Sequence, residues 1–142
     1  MRICLYVGKA APVEQQDEWL ANARSTCDVY ARNLHREFTA RGHEVVFASS
    51  LPAQAKDQSD HDFSRRMQRY RAMAFPEADH AICLEQNGWD SRERIFFEKA
   101  RAATSGLVCA ICDHDGWLGG PQDILFTAPR PMHLTPRVRY VG

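Results

Sequence analysis

Glu98 lies in the segment Ile95-Phe96-Phe97-Glu98-Lys99-Ala100, downstream of the apolar run Ala81-Ile82-Cys83-Leu84 and the turn Gly88-Trp89-Asp90-Ser91. A carboxylate on a helix that begins at a strand's carboxyl end can attack a sugar's anomeric carbon or stabilise an oxocarbenium-like transition state. Spacing alone fits a solvated charge beside Arg94 and Lys99 better, so both readings stay open here. Asp90 offers an N-cap, with Glu93 three residues on completing a capping box. Ser91 and the unpaired N–H groups of that helix start can hold a phosphate or carboxylate, a use compatible with plain capping.

Gly8-Lys9 follows the first apolar run, and a glycine there lets backbone approach a ligand closely. The Gly-Lys-Ser/Thr ending of a P-loop is absent. Trp89 and Tyr70 can stack on a base or fill a core. His80, His114 and His133 lack paired-ligand spacing, and Asp113-His114-Asp115 reads as a polar turn, so neither metal nor cofactor is expected. Cys109-Ala110-Ile111-Cys112 has redox-motif spacing, but on a strand that spacing puts the two thiols on opposite faces.

The elements that must position these residues follow from periodicity. Arg2–Val7 is a first strand ending at Gly8. Trp19, Ala23, Cys27, Tyr30, Leu34 and Phe38 recur at steps of three and four, predicting one helix from about 13 to 41. Gly42 stops it, and 43–48 is a second strand, giving a β-α-β unit with parallel strands. The polar segment 49–60 is a loop, 61–74 is helical, and Pro76 ends that helix. Ala81–Leu84 is a third strand, apolar throughout as a doubly covered strand is. The Glu98 helix runs to Gly106, and Leu107–Cys112 is a fourth strand. Beyond it, 123–128 is a short helix or strand, and Val138–Val141 alternates as an edge strand would. The expected fold is α/β, a single Rossmann-like (flavodoxin-like) domain over 1–142, with a parallel sheet of four to five strands between helices.

Composition narrows the partners. Eighteen basic residues balance eighteen acidic ones in 142, which removes the electrostatic footprint of a nucleic-acid polymer or membrane-surface binder. No apolar run reaches the length of a membrane span, and the start of the chain reads as a strand and not as a signal peptide. Five cysteines, an odd count without framework spacing, point to a reducing cytoplasm.

Taken together, Gly8, Gly42-His43-Glu44-Val45, Ala78-Asp79, Gly88-Trp89-Asp90-Ser91, Glu98 with Ala100 and Ala102, and Gly106-Leu107-Val108 make residues 1–112 resemble the nucleoside 2-deoxyribosyltransferase and nucleotide N-glycosidase superfamily. The resemblance implies that Glu98 is the nucleophile that releases the base, with water or a second base then accepting the glycosyl group. It also implies that Ser91 and the loop after Gly8 hold the 5′ end of a nucleoside or nucleotide, and that copies assemble as dimers or higher oligomers. Three features depart from the family pattern. Arg92-Glu93 follow Ser91 where a glycine is usual, and Ser91 falls one residue early relative to Trp89. Tyr70 and Arg71 stand where an Asp is expected. A nucleotide-binding module without catalysis, or a glycosyltransferase-like lobe, are the alternatives.

Overall fold

The computed structural model describes residues 1–7, 15–49, 64, 68, 71–84, 94–112, 123–127 and 138–140. Its strands are β1 (Arg2–Val7), β2 (Glu44–Ser49), β3 (His80–Leu84), β4 (Val108–Cys112), β5 (Ile124–Thr127) and β6 (Val138–Tyr140). The helices are α1 (Gln16–Ala21), α2 (Thr26–Ala40) and α3 (Arg94–Ala102). All neighbouring strands pair in parallel, in the order β2-β1-β3-β4-β5-β6. Among the described residues the sheet thus has six strands where four to five were expected, because the short segments 124–127 and 138–140 both join it.

Each central strand buries both faces. On β1, Ile3, Leu5 and Val7 pack with Ala31 and Leu84 against Trp19, Tyr30, Leu34 and Phe38 of α1 and α2. Cys4 and Tyr6 point the other way, to Ala81, Cys83, Val108 and Ala110 and to Phe96, Phe97 and Ala100 of α3. Partners in parallel register share a face, so Leu5 lies beside Ile82 and Tyr6 beside Cys83. This double covering explains why the β3 run carries no polar alternation after His80.

The single helix predicted from 13 to 41 is two helices. Ser25, with extended backbone, accepts the Asp28 N–H at its Oγ (3.1 Å) and starts α2 afresh. Such a cap satisfies one of the orphan donors that the start of a second helix creates. At the other end Gly42, with φ of 80°, turns the chain into β2. The 61–74 helix falls largely outside the described residues; Ser64, Gln68, Arg71 and Ala72 of it are helical, and 73–77 are not.

At the far end of α3, Asp123 accepts from both Arg101 Nη2 (2.6 Å) and the Val108 N–H (2.8 Å). Its own N–H donates to the Val108 carbonyl at 2.8 Å. One side chain therefore sets the starts of β4 and β5 against α3.

Candidate functional site

Between β1 and β3 the direction of sheet growth reverses: β2 lies on one side of β1, and β3 to β6 lie on the other. The chain leaves β1 for α1 and α2 on one face and leaves β3 for α3 on the opposite face. Val7 and Leu84 pair at the carboxyl ends of these two strands, with Ser49 and Ile111 as their outer neighbours. Connections that depart to opposite faces from adjacent strand ends leave a crevice between them. At that edge Val7 and Leu84 are both buried and apolar.

Of the residues singled out in the sequence, Gly8, Lys9, Tyr70, Trp89, Asp90 and Ser91 lie outside the described residues. Glu98 is described. It is the fifth residue of α3 and is exposed, whereas Phe96, Phe97 and Ala100 beside it are buried. At about 100° per residue, Glu98 lies roughly 150° around the helix from the centre of that buried face. It is therefore on the outer flank of α3, away from the sheet. Four residues into the helix also places it about 6 Å along the axis from Arg94.

Lys99, read from sequence as one more charge on that helix, has a specific task. Its Nζ donates to the Arg71 carbonyl (2.6 Å) and the Met73 carbonyl (2.7 Å) and sits 4.8 Å from the centre of the Phe75 ring. It fastens α3 to the end of the preceding helical segment, satisfying carbonyls that a helix end leaves without partners.

Ala78-Asp79, part of the sequence resemblance, is at the opposite rim from the crevice. Asp79 stands before β3 and binds the start of β1: the Arg2 N–H donates to its Oδ2 at 2.7 Å. Ala78 bridges Thr104, and the Ala78 and Asp79 carbonyls accept from Ser105 and Gly106 N–H groups at 3.1 and 2.8 Å. His80 Nδ1 accepts the Leu107 N–H at 3.0 Å. The residues around Asp79 thus join strand ends and the α3–β4 turn. Sequence reasoning missed this because only the register of β1 against β3 reveals it.

Three titratable groups in the sheet are shifted. Burial pushes the Cys4 thiol up from 9.0 to about 12, partly offset by the Tyr6 hydroxyl and Arg2. Burial likewise pushes the Tyr6 hydroxyl well above the usual tyrosine range, with Cys4 and Cys83 adding to the shift. That hydroxyl has no conventional hydrogen bond, its polar contact being the weakly polar Cys4 thiol. Cys109 is raised by burial and by Asp123. Raised thiols are poor nucleophiles at neutral pH, so Cys4 and Cys109 are core groups. None of Cys4, Cys27, Cys83 and Cys109 is in a disulfide.

Among the described residues no three His, Cys, Asp or Glu side chains cluster as metal ligands, and no helix is long and apolar enough to cross a membrane. No protein-family model, curated protein or solved structure matches the chain.

Proposed function

We propose that the chain binds a nucleoside or nucleoside 5′-monophosphate at the carboxyl edge of its sheet and cleaves or transfers the N-glycosidic bond through Glu98. The observation that carries the binding half is the Val7–Leu84 pair at the point where strand order reverses. The order of the first five strands, 2-1-3-4-5 with β6 beyond, resembles that of flavodoxin-like, doubly wound domains, in which a mononucleotide sits at the β1/β3 switch point, and supports this reading. Gly8 and Lys9 follow β1 in sequence, and Trp89, Asp90 and Ser91 lie between β3 and α3, the two connections that flank such a crevice. Their backbone and hydroxyl groups are suited to a 5′ phosphate, and Trp89 or Tyr70 to stacking on the base.

In the catalytic step, a Glu98 oxygen bonds to the anomeric carbon as the bond to the base nitrogen breaks and its electron pair leaves with the base. Water or a second base then displaces the carboxylate. Within this reading the protein is cytoplasmic, works without a cofactor and assembles as a homo-oligomer.

A second reading, binding without turnover, is favoured by one observation: Glu98 is exposed on the flank of α3 that faces away from the sheet. A panel of nucleosides and 5′-monophosphates separates the two. Free base seen by chromatography with the native chain, and lost in Glu98→Gln, supports the glycosidase. Thermal stabilisation that grows with nucleotide concentration, with no base released, supports the binding module. An absence of both effects overturns the two together.

A further inference from the structure

We draw no further inference here: the strongest candidate, the open cleft at the amino-terminal rim of the sheet lined by Arg2, Glu77, Asp79, Thr104 and Ser105, carries nothing because Asp79 and Thr104 are already engaged by the Arg2 N–H and the Ala100 carbonyl and nothing in the structure shows what would occupy it.

Discussion

The Arg2 N–H donates to Asp79 Oδ2 at 2.7 Å, and the Asp79 N–H donates back to the Arg2 carbonyl at 2.8 Å. This reciprocal pair closes the amino-terminal end of the β1–β3 seam, at the opposite rim from the proposed ligand crevice. Asp79→Ala removes the carboxylate acceptor while leaving the backbone bond. A hydrogen bond to a charged group contributes about 1.5–3 kcal/mol, and the partly exposed site reduces this to about 1 kcal/mol. The expected result is a lower urea midpoint with unchanged nucleotide binding. Lost binding at unchanged stability would show that Asp79 acts on the ligand.

Gly106 is required where the α3–β4 turn crosses His80. A Cβ there would lie 2.5 Å from His80 Cε1 and 2.6 Å from the Asp79 carbonyl oxygen. The imidazole can swing aside, but the carbonyl is fixed by its bond from the Gly106 N–H. Gly106→Ala is therefore expected to cost about 1–3 kcal/mol, the range for overpacking. Adding His80→Ala should recover only part of that loss in a double-mutant cycle, because the clash with backbone remains. Full recovery would mean that the ring alone sets the requirement.

How much of this was legible in the sequence depended on the length of the repeating signal. The β1-α-β2 unit and its Gly42 stop followed from periodicity, as did the apolar β3. The break between α1 and α2 was hidden because Trp19, Ala23 and Cys27 keep helical spacing straight through it, and the competing Ser25–Asp28 cap spans only four residues. The segment 124–127 is too short to choose between helix and strand by pattern, and pairing with β4 decides it, whereas the alternation of Val138–Val141 already reads as an edge strand and 138–140 pairs with β5 at the sheet's edge. Arg101 and Asp123, 22 residues apart, carry no local signal of their contact.

Cys4 and Tyr6, together with the raised Cys109, contribute to the response to alkali. In the folded chain burial holds Cys4 protonated up to about 12 and Tyr6 protonated well above its usual range. The unfolded chain releases those protons near the ordinary values of 9.0 and 10.0. Above pH 9.0 the unfolded state thus binds fewer protons than the folded one, so stability is full below that pH and falls as pH rises toward about 12. Tyr6→Phe removes one of these groups together with a buried hydroxyl that lacks a conventional partner. Urea midpoints across that window should fall less steeply in the variant and be no lower at neutral pH. An equally steep fall in Tyr6→Phe would assign the effect to other groups.

Glu98→Gln is a clean probe because the side chain is exposed and the buried face of α3 is formed by Phe96, Phe97 and Ala100. Exposed substitutions of this kind stay within about 0.5 kcal/mol, so the variant should unfold at the native urea midpoint. Any change in turnover then reports chemistry and not folding. If Glu98 is the nucleophile, the amide cannot form the glycosyl ester, and base release should fall by several orders of magnitude while nucleotide still raises the melting temperature. Phe96→Ala gives the contrast: it empties a fully buried site against Tyr6 and should cost about 3–5 kcal/mol. Base release that persists in Glu98→Gln at undiminished rate would remove this carboxylate from the mechanism and leave the crevice as a binding site alone.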